Sequence, residues 1–403
     1  QHTTDSDHFM EIGINGSDKL FMYCYDNPTN IVYLATSQVF RDFNGWYHVV
    51  AAFDSTQSTN TDRAKLYING QQVTSFSTST YPSSQSADLF FNKSGQTQYI
   101  ASNYQSGYRW DGKIAHLHWA DGQFYDASVF GQTDSNGVWI PKTSPTVSYG
   151  TNGHFIKFDN DSNMGLDSSG QSNNFTASGS VIQVKDTPTN IYPVFNILNN
   201  YWGGSTFTDV NTTVYTGSAQ YGINKTTIGV DSGKWYWEVK IGSNDGSGNN
   251  WYAVGISGQE ITNSNQELGK YQYQIGYYGD DGTIRKNSVN LSTGTTYTTN
   301  DIIGVAMDLD NNKIYFHKNG VYVNTVSGQQ GNPNTGANGF DITADPLEGF
   351  YFPCVGDWDN NNRFYFHGNF GSGYFGTTKI TSAGSNGNGS LFEYDVPTGY
   401  YAL

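Results

Sequence analysis

The sequence predicts an all-β chain of two β-sandwich domains in tandem, and three observations predict it. Charged residues make up 14% of the 403 residues, while aromatics reach 16% and glycines number 47; an average soluble domain carries roughly 25% charge. Aromatic and Thr positions suit a pleated, half-buried surface, and Gly and Asn suit tight turns. Extended runs of period-two alternation recur between Gly/Asn/Ser turns, as in a sandwich. A proline-broken stretch near the middle divides a chain long enough for two or three domains at about 150 residues each.

In the first half, Trp46-Tyr47-His48-Val49-Val50-Ala51-Ala52-Phe53 places Tyr47, Val49, Ala51 and Phe53 on one face. After the polar loop 55–62, Lys65-Leu66-Tyr67-Ile68 runs into Asn69-Gly70, and Gln71-Gln72-Val73 leads away. Asn-Gly between two extended runs signals a hairpin, because both central positions of the favoured turn need positive φ. Lys113 to Trp119 reads as a strand with Ala115, Leu117 and Trp119 on one side and Ile114, His116 and His118 on the other.

In the stretch from Asp186 to Pro193, two prolines fall within six residues and no periodicity survives. Proline lacks the donor that a central strand needs. Residues 186–196 are therefore read as a linker between domains at 1–185 and 197–403.

The second half repeats the design. Lys234-Trp235-Tyr236-Trp237-Glu238-Val239 is an aromatic strand, and Ile303, Val305, Met307 and Leu309 alternate with smaller or polar residues. Lys313-Ile314-Tyr315-Phe316 then leads to Asn319-Gly320, and Val321-Tyr322-Val323 returns. Each half thus holds a Trp-led strand and, further on, a Lys-aliphatic-Tyr strand closing at Asn-Gly. The Gly/Asn/Ser-rich segments 244–250 and 327–338 read as loops.

Charge and cysteine usage exclude several classes. With 20 basic against 35 acidic residues the formal net charge is −15, and no Lys/Arg cluster is present. Nucleic acid and anionic membranes draw affinity from phosphate neutralisation, so neither is an expected partner. The longest apolar run, around Trp46 to Phe53, is far short of the eighteen or so residues that span a bilayer, so no membrane insertion is expected. Cys24 and Cys354 lie far apart in sequence and make no disulfide framework, which fits folding in a reducing compartment.

These residues carry a resemblance. Gly45-Trp46-Tyr47-His48-Val49, Asp62-Arg63-Ala64-Lys65-Leu66-Tyr67-Ile68-Asn69-Gly70 and Trp110-Asp111-Gly112-Lys113-Ile114-Ala115 resemble a laminin-G-like, concanavalin A-type jelly roll. Ser232-Gly233-Lys234-Trp235-Tyr236-Trp237-Glu238-Val239, Asp301 to Asp308, Phe316-His317-Lys318-Asn319-Gly320 and Phe350-Tyr351-Phe352-Pro353 resemble a SPRY domain. Trp119-Ala120-Asp121-Gly122-Gln123, Gly137-Val138-Trp139-Ile140-Pro141-Lys142, Tyr149-Gly150-Thr151-Asn152-Gly153 and Asp186-Thr187-Pro188-Thr189-Asn190 are similar to a lineage of virion proteins of tailed bacteriophages, especially those of marine bacteria. That resemblance implies a virion-surface location, as a tail fibre or head appendage assembled in the bacterial cytoplasm. It implies other virion proteins and a host cell-surface glycan or receptor as partners, and a homo-oligomer, with a trimer usual for fibres. Jelly rolls of this kind have strands ahead of a segment like Phe9 to Tyr25. Few residues precede it here, so the first sandwich is expected to lack its opening strands.

The chemistry expected is binding, with no catalytic residue. A retaining glucanase on such a sandwich needs two carboxylates about 5–5.5 Å apart, typically in a Glu-x-Asp-x-Glu pattern. The six glutamates, Glu11, Glu238, Glu260, Glu267, Glu348 and Glu393, form no such pattern. No Gly-x-Ser-x-Gly elbow is present, and no His neighbours either Cys in sequence. No cofactor is expected beyond a structural Ca²⁺ held by Asp121, Asp159 or Asp161. Asp159-Asn160-Asp161-Ser162-Asn163 imitates the start of a calcium loop, but Met164 stands where an EF-hand has Gly and Gly170 where it has Glu. His116 and His118 share a face without a third ligand by spacing and read as surface histidines.

Loops carry the candidate binding residues. Tyr104, Tyr108, Arg109 and Trp110 fall in one polar loop, where rings can stack on a sugar while Arg binds its hydroxyls; Trp202, Trp251, Tyr277, Tyr278 and Trp358 lie in or beside Gly/Asp/Asn segments. Rings mixed with Asn, Ser and Gly make adaptable binding surfaces. The expected function is a non-enzymatic virion-surface protein binding a host glycan or receptor. The alternatives are a purely structural capsid-decoration or fibre-linking module and a glycan depolymerase.

Overall fold

The computed structural model describes residues 2–5, 8–42, 44–87, 89, 96–102, 108–179, 181–199, 204–216, 222–244, 250–262, 266–325, 327–358 and 363–403. The chain forms two compact units, Gln1–Gln183 and Val184–Leu403, and both are built from β-strands.

The first unit holds a six-stranded sheet in the spatial order Phe76–Thr80, Thr29–Thr36, Leu20–Asp26, His8–Ile14, His2–Asp5 and Thr97–Gln98. Strand Leu20–Asp26 buries Leu20, Met22 and Cys24 while Phe21, Tyr23 and Tyr25 face the other way. Met22 and Cys24 join Met10, Val32 and Leu34 and pack on Ala64 and Leu66 of the three-stranded sheet Val49–Phe53, Ala64–Ile68, Gln71–Gln72, while Leu20 packs with Phe40 and Ile68. Strand Val49–Phe53 departs from its expected pattern. Ala51 and Phe53 reach the core, but Val49 is exposed, and Val50 and Ala52 pack behind against Tyr67, Ala127 and Trp139. The strand is covered on both faces, which erases the alternation. Of the strand expected from Lys113 to Trp119, only Leu117–Trp119 forms, pairing with His154–Ile156. His116 has φ +50°, which no extended run can contain.

Both Asn-Gly hairpins form, with φ +47° and +82° at Asn69 and Gly70 and +49° and +83° at Asn319 and Gly320. The two asparagines also do the same second job. Asn69 Oδ1 accepts from His48 N–H and Asn319 Oδ1 accepts from Ile302 N–H, each at 2.8 Å, pinning the turn to the start of the neighbouring strand.

In the second unit a nine-stranded sheet, including Thr213–Tyr215, Phe364–Asn369, Lys234–Asn244, Ile302–Asp308 and Lys313–Lys318, packs against a six-stranded sheet containing Gly222–Lys225, Phe352–Asp357, Tyr252–Ser257, Gln274–Tyr278 and Thr283–Lys286. Trp237, Val239 and Ile241 point into the core with Val254, Ile256, Ile275, Val305 and Phe316. Replacing a fully buried ring such as Trp237 by Ala costs about 3–5 kcal/mol. Residues 186–196, expected as a linker, contribute Tyr192, Val194 and Phe195 to the interior of this unit. Prolines there prevent ladder pairing but not burial.

The outer face of the nine-stranded sheet is covered by the segment after residue 380. Phe392, Val396 and Tyr400 pack on Tyr236, Ala306 and Tyr315, and Tyr401–Ala402 pairs in parallel with Trp235 and Tyr236. At the centre of this face is Glu238, wholly buried. Its carboxylate accepts from the Tyr236 hydroxyl and from the backbone N–H groups of Glu393 and Tyr394, each at 2.9 Å, with Asn369 Nδ2 at 3.4 Å. Gly320 N–H donates to His317 Nδ1 at 3.1 Å, so the ring proton is on Nε2, which donates to the Tyr236 hydroxyl at 2.8 Å.

Burial pushes the Glu238 carboxyl up to about 7 and the His317 imidazole down to about 3. In the unfolded chain Glu238 loses its proton near its ordinary 4.5. From there to about pH 7 the native state binds the extra proton, so stability due to this group falls as pH rises. Glu238→Ala leaves the Tyr236 hydroxyl and the Glu393 and Tyr394 N–H groups without their acceptor, while Asn369 Nδ2 keeps Leu391 O, and is expected to lower unfolding free energy by about 3–5 kcal/mol at pH 5. Urea titrations across the pH range should show the gap to wild type narrowing between pH 4.5 and 7.

Candidate functional site

Tyr104 and Trp202 lie outside the described residues. Tyr108, Arg109 and Trp110 are exposed, and Trp110 N–H donates to Ala101 O at 2.9 Å. Tyr277 and Tyr278 are not loop residues. Both are buried on strand Gln274–Tyr278, where the Tyr278 hydroxyl donates to Leu268 O at 2.8 Å and its ring lies 3.9 Å beneath the Arg285 guanidinium. The Gly/Asp turn that made Tyr278 look exposed begins one residue later, after the strand has tucked its last ring inside.

Asp121 accepts from Asn152 Nδ2 at 2.9 Å, and Asp159 and Asp161 are exposed on a turn. Among the described residues no three His, Cys, Asp or Glu side chains are grouped to hold a metal ion. His116 and His118 are aromatic packing partners rather than surface groups. The His118 ring stacks on Phe155 at 4.0 Å, its Nδ1 is 2.9 Å from the Tyr149 hydroxyl, and burial pushes its pKa down to about 3.

Trp251 and Trp358 do come together. Trp251 precedes strand Tyr252–Ser257, Trp358 follows strand Phe352–Asp357, and antiparallel pairing of Tyr252 with Asp357 brings the two to one end of the sandwich. Trp358 N–H donates to Trp251 O at 2.7 Å, and the rings lie 6.0 Å apart at 36°. The same end of the nine-stranded sheet carries a stack that sequence reading missed. Tyr215 pairs with Tyr365 and Thr213 with His367, so the rings of Tyr215 and Tyr365 stack at 4.2 Å and those of Tyr365 and His367 lie 6.1 Å apart and nearly parallel. Arg363 Cζ is 5.7 Å from the Tyr215 ring. Beneath them Thr216 Oγ1 donates to the buried Asp357 carboxylate at 2.7 Å and accepts from Phe364 N–H at 2.9 Å, fixing the strand ends. The alternation Arg363, Tyr365, His367 was the available signal.

The first unit carries a second aromatic surface. On the face of the six-stranded sheet away from its core, Phe9, Tyr23, Tyr25 and Tyr33 lie within 4.8–5.9 Å of one another along the contacts Phe9–Tyr23, Phe9–Tyr25, Tyr23–Tyr25 and Tyr23–Tyr33. Glu11 stands opposite Tyr23, and burial raises its carboxyl above the ordinary value. The Tyr23 hydroxyl donates to Asn30 Oδ1 at 2.9 Å. All four rings are half-buried.

Comparison with known proteins defines the class of each unit. Residues 1–129 match the Concanavalin A-like lectin/glucanases superfamily and residues 234–333 match the SPRY domain. The chain therefore carries a concanavalin A-like and a SPRY β-sandwich domain in tandem. Ran-binding protein 9 of Danio rerio is 37% identical over 89 residues, 22% of this chain and 14% of that protein. Ran-binding protein 9 of Homo sapiens is equally identical over 89 residues, 22% of this chain and 12% of that protein. The match spans about a seventh or less of these relatives. Among solved structures, the SPRY domain of human HERC1 is 20% identical, with 43% of this chain and 96% of that chain covered at a TM-score of 0.34. These animal Ran-binding relatives lend no support to the resemblance to phage virion proteins.

Placement predicts stability. Trp251→Ala, at a ring 39% exposed, is expected to change unfolding free energy by less than about 1 kcal/mol. Tyr278→Ala should cost about 3–5 kcal/mol. Urea denaturation of the two variants measures both.

Proposed function

We propose that the chain is a non-catalytic recognition protein whose SPRY domain binds a partner polypeptide at the end marked by Trp251 and Trp358. The open ring pair carries this reading. It sits beside the Tyr215–Tyr365 stack and Arg363 on strands whose ends are tied by Thr216 and Asp357. Tyr, Trp and Arg on a rigid base are the residues that dominate binding energy, and rings already held in place lose little entropy on contact. The non-catalytic part rests on the glutamates. Glu238 is bound to its four donors, Glu267 and Glu348 are paired with Arg285 and Lys225, and Glu393 is bound to Thr381.

A second reading is favoured by the Phe9, Tyr23, Tyr25 and Tyr33 face of the first domain. Flat rings interleaved with Asn30 and Glu11 suit a pyranose, stacking on its apolar side while amide and carboxylate take hydroxyls. On this reading the protein binds a host-surface glycan from a virion surface, as the phage-like motifs imply, working in a homo-oligomer without a cofactor.

The two readings separate by mutation. Trp358→Ala is expected to weaken binding of a selected peptide about tenfold or more, which is at least about 1.4 kcal/mol, and to leave glycan-array binding unchanged. Tyr23→Ala should abolish array binding and spare the peptide. Isothermal calorimetry that finds neither variant altered sinks both readings.

A further inference from the structure

The SPRY domain carries a second, differently built surface at the opposite end of the same strands. Strand Phe352–Asp357 has Trp358 beyond one end and Phe352 at the other, about 20 Å away at some 3.3 Å per residue. Beside Phe352 is an open groove of about 630 Å³ lined by Gln259, Glu260, Thr262, Leu347, Glu348 and Phe352.

The wall of the groove is a pinned turn. Gly349, at φ +78°, donates its N–H to Pro346 O at 2.9 Å, and Glu348 N–H donates to Gly258 O at 3.1 Å. A Cβ on Gly258 would sit 2.5 Å from Pro346 Cβ, so the turn packs directly on backbone. Below it the Lys225 ammonium, 3% exposed, holds both Glu348 carboxylate oxygens at 2.6 and 2.8 Å and lies 5.0 Å over the Phe352 ring. A buried ion pair is weak evidence of stability and better explained by position. What it positions is apolar. Leu347 is 69% exposed and Phe350 45% exposed on a turn held by backbone and charge alike.

Among the described residues two acids and no base line the groove. The Lys225 charge is already matched by Glu348, which leaves the exposed Glu260 without an ion-pair partner among the described residues. The surface therefore offers a rigid apolar knob beside uncompensated negative charge, and its complement is a cation next to an apolar side chain. We propose that this groove docks an extended polypeptide segment in which Lys or Arg stands beside a bulky apolar residue. Preorganisation of the turn supplies the affinity, and Glu260 sets the sign of charge that is accepted.

The test pans a random peptide library on the full chain, with Leu347→Asp and Glu260→Lys as counter-targets; both positions are exposed, so neither variant disturbs the core. Enriched peptides should pair a basic with an apolar residue. Synthetic copies should lose about tenfold in affinity on either variant and keep it on Trp358→Ala, which separates this surface from the tryptophan end. The proposal is overturned if enriched peptides are acidic, if they bind Leu347→Asp as well as wild type, or if no peptide is enriched. It is equally overturned if sedimentation shows wild type self-associating and Leu347→Asp monomeric, since the occupant is then a second copy.

Discussion

The second domain depends on one buried carboxylate. Glu238 occupies the middle of a sheet face that would otherwise be a bare row of rings, and the donors around it tie that face to the covering segment. The donors come from three separate segments of the chain: Tyr236 on its own strand, Asn369 on the neighbouring one, and Glu393 and Tyr394 together on the covering segment, while His317 acts through Tyr236. The order of donation is fixed from one end by a backbone N–H, that of Gly320. Gly304 must be glycine for the same reason, because the His317 ring lies where a Cβ would be. A charge that is expensive to bury thus becomes the point at which the covering segment is registered. The apolar contacts of Phe392, Val396 and Tyr400 follow from that register.

Much of the fold was legible because strands and turns write locally. Alternation at Lys234–Asn244 and Ile302–Asp308 and positive φ at Asn69-Gly70 and Asn319-Gly320 need no distant partner to be recognised. The candidate site was half legible. Trp251 and Trp358 stand out as large rings among Gly, Asp and Asn, and exposure is what that context implies. Tyr278 has the same neighbours yet is buried, since burial at a strand end depends on which way the final residue of the strand points. Tyr215 and Tyr365 could not be paired from sequence, because their stacking depends on a cross-strand register between segments far apart in the chain. Residues 186–196 show a related limit. Lack of periodicity reports absence of a ladder, whereas Tyr192 and Phe195 are buried without one.

The strands Tyr252–Ser257 and Phe352–Asp357 serve as a rigid spacer between unlike surfaces. At one end a tied pair of strand termini presents rings and an arginine; at the other a charge-pinned turn presents leucine and phenylalanine beside acid. Neither surface requires the sheet to change, since in each case the holding contacts are buried hydrogen bonds or an ion pair beneath the exposed groups. Sequence difference at such ends alters recognition while the sandwich between them stays the same.

The parallel pairing of Tyr401–Ala402 with Trp235 and Tyr236 bears on the order in which the domain can be made. Lys234–Asn244 leaves the ribosome early among the strands of its sheet, yet its outer face and one stretch of its edge wait for Tyr401 and Ala402, far later in the chain. During that interval Tyr236, Tyr315 and Glu238 are uncovered together. Contacts of such long sequence separation slow folding and expose apolar surface while they are awaited. Uncovered, the Glu238 carboxyl has its ordinary value of 4.5 and is charged at neutral pH, so the waiting face carries a charge that the covering segment takes out of water when it docks.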